Sequence, residues 1–150
     1  MIALKIVETS YYPEKNLIVT QISGDIEKED VEQWERALME ALGHIKDGST
    51  FKIFINLYGF KAVNLEVHKR FRNVIPLTLA RFGWKVGYVD LFEEEAKTLA
   101  LTRTRGIRCI AAAHCHQDET KMELYEIRYS RDNEHYFTDP REAESWIEGF

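Results

Sequence analysis

Long apolar runs are missing from this 150-residue chain. No stretch approaches the roughly 18 apolar residues of a membrane span, so no spanning segment is expected. The opening run Met1-Ile2-Ala3-Leu4-Lys5-Ile6-Val7-Glu8 is also too short for a secretion signal. An excess of positive charge is missing too. The net charge is −5, whereas nucleic acid and anionic membranes demand a basic face, so no nucleic-acid partner is expected. The local basic clusters, Lys69 with Arg70 and Arg72 and Arg103 with Arg105 and Arg108, read as solvated helix faces. Cysteine is scarce. On an extended strand Cys109 and Cys115 would stand roughly 20 Å apart, against a limit of about 7 Å between bridged Cα atoms. Free thiols suit a reducing cytoplasm, which is the expected location. The chain also lacks G-x-S-x-G, a phosphate-binding P-loop, G-x-G-x-x-G and H-E-x-x-H. No cofactor is therefore expected, and a non-enzymatic role is favoured over an enzymatic one.

What is present is an ordinary globular composition, with 45% hydrophobic and 30% charged residues. A chain of this length buries about two-thirds of its unfolded surface, enough to fold without a disulfide or a metal. No repeat, low-complexity tract or Pro/Gly-rich linker divides it, so residues 1–150 are expected to form a single domain.

The most informative stretch is Phe51-Lys52-Ile53-Phe54-Ile55-Asn56-Leu57-Tyr58-Gly59-Phe60. An apolar run ends in Asn56, turns through a glycine, and gives way to helical periodicity near Leu65. That is a buried strand feeding a helix, the unit of parallel α/β sheets. Before it, Leu4-Lys5-Ile6-Val7 and Leu17-Ile18-Val19-Thr20-Gln21-Ile22 predict a hairpin closed by Tyr12-Pro13-Glu14-Lys15-Asn16. Val31, Trp34, Leu38, Leu42 and Ile45 predict a first amphipathic helix, which Gly43 or Gly48 can end. Asn64 is placed to cap a second helix, with Val67, Phe71, Val74, Ile75, Leu79 and Phe82 as its stripe. Pro76 predicts a kink or break in it, and Gly83 its end.

A fourth strand is expected over residues 85–89, ending in Asp90. A third helix is expected from Glu93, Glu94 and Glu95 to Arg103 and Arg105, a charge order matched to the helix dipole. Residues 107–113 predict a fifth strand, followed by His114-Cys115-His116-Gln117-Asp118. Residues 118–130 could be helix or strand, and the acidic start with Lys, Glu, Leu and Met favours helix. A short strand at His135-Tyr136-Phe137 precedes a last helix capped by Asp139, with Pro140 at its first position and Glu142 able to complete a capping box. Ala143, Trp146, Ile147 and Phe150 form its apolar face. The expected fold is a single mixed, mostly parallel sheet of about five strands, with an N-terminal hairpin and alternating helices after it.

Ligands of open α/β sheets bind outside the carboxyl ends of the strands. Asn56, Tyr58, Asp90, His114 and His116 would share that edge and form a candidate ligand site. The bland reading is that any chain leaving a core becomes polar. On a continuing strand His114 and His116 point to one side, roughly 6.6 Å apart at the backbone. With Asp118 or His135 they could hold a metal, although no ligand set is complete and none is assigned. A pH-responsive patch or an exposed polar loop explains the same pair. Cys115, flanked by those histidines, would face away from them, and Cys109 reads as a small buried hydrophobe. Trp34, Phe54, Phe71 and Trp146 belong to core stripes. Tyr11, Tyr12, Tyr58 and Phe60 fall on turns and could meet a partner.

A hairpin, a helix, then alternating strands and helices around Asn56-Leu57-Tyr58-Gly59-Phe60 resemble the SpoIIAA-like, or STAS, family. The tail from Phe137-Thr138-Asp139-Pro140-Arg141 to Glu144-Ser145-Trp146-Ile147 is similar to the closing segment of its bacterial SpoIIAA-like branch. The resemblance covers about residues 16–113 and the last helix, with 114–134 reading as an insertion. It implies a regulatory or protein-docking module, homodimeric or bound to another protein. Some members instead bind small molecules or lipids. The segment in which the family's anti-sigma-factor antagonists are phosphorylated on a serine, at the start of the second helix, matches Asn64, Leu65 and Glu66 here. None carries a hydroxyl, so that switch is expected to be absent. The other expectation is a small-ligand- or metal-binding domain using the carboxyl edge. A concave apolar pocket there would favour the ligand reading, and a flat edge with an exposed aromatic patch would favour docking.

Overall fold

The chain opens with an antiparallel pair, β1 (Ile6–Tyr12) and β2 (Leu17–Ile26), with Ile6 opposite Ser23 and Tyr12 opposite Leu17. Pro13 begins a single 3-10 turn between them, and Asn16 closes it at φ 55°, a left-handed conformation asparagine tolerates. The computed structural model describes residues 4–150, with Asp90, Glu93, Glu94 and Glu95 described in their backbone alone. Within the hairpin Thr9 and Thr20 share a hydroxyl hydrogen bond of 2.8 Å. The buried Trp34 indole donates to the same Thr20 Oγ1 at 2.6 Å, which seats α1 (Lys28–Gly43) on the sheet. Val31, Leu38 and Leu42 are buried with it, and Ile45 follows just past the helix end.

The central strand β3 (Thr50–Asn56) is buried from Phe51 to Ile55 because both its faces are covered. It runs parallel to β2 on one side and to β5 (Arg108–Cys115) on the other. A three-residue strand β4 (Phe60–Ala62) pairs in parallel with the end of β2, and β6 (Glu134–Phe137) lies parallel to β5. The order is β1-β2-β3-β5-β6, with β4 on β2. The sheet is thus mixed and mostly parallel, as expected. The larger core packs α1 and α2 (Leu65–Ala80) against one face. On the other, Ala143 and Ile147 of α5 (Pro140–Gly149) cover Leu17, Phe54, Ala111 and Ala113. The remaining helices are α3 (Glu93–Thr98) and α4 (Glu119–Tyr129), so the ambiguous segment 118–130 is helical. No described helix is long and apolar enough to cross a membrane.

Several expectations are corrected. Residues 85–89 are not a strand. β5 pairs directly with β3, and the chain over Gly87–Leu91 is a 3-10 turn outside the sheet. Gly87 is the reason. Its N–H donates to Glu134 Oε1 at 3.0 Å, and a Cβ there would meet the Tyr129 carbonyl oxygen at 2.6 Å. α3 ends at Thr98, well before Arg103 and Arg105. Arg105 instead reaches the C-terminus of α1, donating to the carbonyls of Leu42 at 2.7 Å and Ile45 at 3.0 Å. Of the kink or break expected at Pro76, the break does not occur, and α2 runs on through it to Ala80. Proline near the C-terminal end forgoes one backbone hydrogen bond, and its buried ring contributes to the core instead. The helix stops where Gly83, at φ 75°, lets its own N–H reach the Ala80 carbonyl and that of Trp84 reach the Leu79 carbonyl. Phe60 is not a turn aromatic but a buried one, stacked on Phe71 at 3.9 Å between ring centres. Trp146 is only half-buried and Phe150 is exposed.

Thr20→Val should leave the Trp34 indole N–H unpaired in the core and lower stability by about 1–3 kcal/mol in urea melts. Phe54→Ala should cost about 3–5 kcal/mol as an ordinary core truncation, and the half-buried Trp146→Ala distinctly less.

Candidate functional site

Glu134 enters β6 with no exposed surface, and every oxygen it carries is claimed. Oε1 accepts from Arg131 Nη2 at 2.6 Å and Nε at 3.2 Å and from Gly87 N at 3.0 Å. Oε2 faces His114 Nε2 at 2.9 Å. Burial alone would raise the carboxyl's pKa, but the hydrogen bonds and charges of His114 and Arg131 outweigh it and hold Glu134 below the usual glutamate range. An ionised carboxylate can only accept, so His114 Nε2 carries the hydrogen. The ring is thereby oriented, and Nδ1 has no hydrogen-bond partner among the described residues. Arg131 extends the network to the Lys85 carbonyl at 2.8 Å and lies over the Trp84 ring.

The oriented His114 ring stacks on Tyr136, its neighbour in the parallel ladder, at 4.6 Å and 10°. Tyr88 stacks on Tyr125, and both meet the Tyr136 ring at steep angles. These rings form the floor of a cavity of about 70 Å³ at the carboxyl end of β5, between α2 and α4. Phe71, Ile75 and Met122 supply apolar wall, and His68, Arg72, His116 and Lys121 supply the polar part of the lining. His116 Nδ1 accepts from the Asp118 backbone N–H at 3.0 Å, leaving Nε2 as the donor. Burial, Lys121 and Arg72 depress the His68 pKa. Burial and Lys121 likewise depress that of His116, with Asp118 acting against them. Burial also lowers the Lys121 ammonium, which lies 5.6 Å from the Tyr125 ring centre.

Of the residues predicted to converge, His114 and His116 do line one cavity. Asn56 and Tyr58 stand outside it. Asn56 Oδ1 accepts from the Tyr58 N–H at 3.1 Å, so the amide shapes its own turn, and Tyr58 is exposed. Asp90 does not end a strand, and its side chain lies outside the described residues. His135 contacts Trp146 and hydrogen-bonds Glu126, away from the cavity. Among the described residues no group of His, Cys, Asp and Glu is arranged to hold a metal ion. Cys115 is packed with Ala113 and Ile147, and burial pushes its thiol up to about 12, so it is no thiolate nucleophile at neutral pH. Both cysteines are free, and they belong to different core clusters.

Sequence reasoning missed Glu134, Arg131, Tyr136, Lys121 and His68. Only Gly87 left a signal. A lone glycine inside a strand-like run marks close backbone approach, which is its role here.

Glu134→Ala should cost about 1–3 kcal/mol at pH 7, because it leaves the buried His114 N–H and the Gly87 N–H without their acceptor. The wild-type carboxyl is depressed in the folded state. Its contribution is therefore full above the unfolded value near 4.5 and lost as pH falls through the lower folded value. Acid titration of stability by circular dichroism should show a shallower acid loss in the variant.

No protein-family model, curated protein or solved structure matches this chain, so the chemistry of the cavity is what a functional reading has to rest on.

Proposed function

We propose that this chain is a small-ligand-binding domain on a STAS-like scaffold, with its ligand held at the carboxyl end of β5 between α2 and α4. One observation carries the reading. A concave, mainly apolar cavity with a few convergent polar groups lies at that edge, the form small-molecule sites take. The docking alternative calls for a flat edge and an exposed aromatic patch. The exposed apolar side chains are instead spread over separate elements, with Tyr58 in a turn, Leu77 on α2 and Ile127 on α4. The phosphate switch of the STAS antagonists is not part of this reading. Asn64 Oδ1 accepts from the Val67 N–H as the cap of α2, and no hydroxyl stands at residues 64–66. Binding is favoured over catalysis, since the thiol next to the histidines is held protonated by burial. Buried free thiols agree with a cytoplasmic setting.

The test is a fragment screen by amide NMR on the full chain, with acids, amines and neutral compounds in separate pools. Hits should shift amides around Leu57, His116 and Tyr136 together. Hits that cluster only at β1 or on the outer face of α5, or no hits at all, would overturn the cavity as the site.

A further inference from the structure

Basic side chains reach the cavity from separate elements: His68 and Arg72 from α2, His116 from the end of β5, and Lys121 from α4. No carboxylate of a described side chain lines it except through His114. Glu134 lies behind that ring and is committed to its own donors. Asp118, the nearest other acid, accepts from the Lys121 backbone N–H as the cap of α4. The Lys121 ammonium has neither a hydrogen bond nor an ion pair among the described residues, only the Tyr125 ring. The Asp118 carboxylate favours its charge through space, but a half-buried ammonium with no direct partner is costly to keep. Independently, the hydroxyl of Tyr136, a residue 5% exposed and lining the cavity, is buried with no hydrogen-bond partner. Buried polar atoms are rarely left so.

Wall chemistry narrows the occupant. A phosphate group would want several free backbone N–H groups at a helix start, and the Lys121 amide in the first turn of α4 is already taken by Asp118. A planar monoanion with a short apolar tail suits both the cationic side and the Phe71, Ile75 and Met122 wall.

We propose that the ligand is a small aliphatic monocarboxylate, its carboxylate held by Lys121 and the His116 Nε2–H and its tail against Phe71, Ile75 and Met122. This rests on the reading of the cavity as a ligand site. The ligand carboxylate supplies Lys121 with a direct ion pair, and Tyr136, whose hydroxyl lacks a partner, lines the same cavity.

The experiment titrates the full chain with butyrate, its neutral isostere butyramide, and inorganic phosphate at constant ionic strength, followed by amide NMR. Butyrate should saturate the cavity amides, with butyramide and phosphate each at least tenfold weaker. Lys121→Met should weaken butyrate at least tenfold, and Lys121→Arg should keep most of the binding, which separates loss of charge from loss of fold. Equal binding of butyramide would overturn the carboxylate assignment while leaving the cavity as the site. Equal binding of phosphate would overturn the apolar tail. If none of the three binds, the proposal is overturned, and the cavity reading falls with it only if the fragment screen is also blank.

Discussion

The buried charge of Glu134 is the constraint around which the C-terminal half is arranged. A carboxylate with no exposed surface survives only if its oxygens are fully paired. Its partners come from distant parts of the chain: Gly87 from the segment after α2, His114 from β5, and Arg131 from the loop after α4. To supply them, residues 84–92 must fold back beside β6, and Gly87 must lie against the last turn of α4. The same pairing orients the His114 ring and stacks it on Tyr136. One buried carboxylate therefore ties β5, β6, α4 and the segment after α2 into a single body.

The cavity follows from that arrangement and from topology. Parallel strands direct their carboxyl ends to one edge, and the helices that follow them leave a crevice there. The Leu57 N–H donates to the Cys115 carbonyl, and Gln117 pairs with the Gly59 N–H and the Phe60 carbonyl. These bonds hold the exits of β3 and β5 side by side. α2 leans in from one side with His68 and Phe71, and α4 from the other with Lys121, Met122 and Tyr125. The crevice is thus apolar at its floor and basic along one part of its lining. That combination comes from where two helices face each other and is not encoded in any short motif.

Local elements were legible wherever a neighbour-range signal decided them. The α1 stripe, the Asn64 cap, the Gly83 stop, the apolar β3 and the Asp139-Pro140 start of α5 all depend on residues within a few positions of one another. Reading failed where distant groups outweighed local preference. Lys85-Val86-Gly87-Tyr88-Val89 has a strand's composition, yet β5 occupies the position beside β3 and Glu134 captures the Gly87 amide. Arg105 looks like the basic end of a helix, yet it caps the carbonyls of a different one. Trp146 has the spacing of a core residue, yet α5 covers that face of the sheet with Ala143 and Ile147 and leaves the Trp146 ring at the rim beside His135.

The sequence by itself determined a single mixed α/β sheet, its helices and their caps, and the pairing of His114 with His116 at one edge, because periodicity and capping act over one or two turns of chain. Tertiary structure alone decided that Glu134 would orient His114, that Asn56 and Tyr58 would stand outside the cavity, and that Lys121 and His68 would face it. Those outcomes depend on side chains far apart in sequence meeting in a medium of low polarity. There an unpaired charge is too costly to leave, and the fold is chosen partly to avoid it.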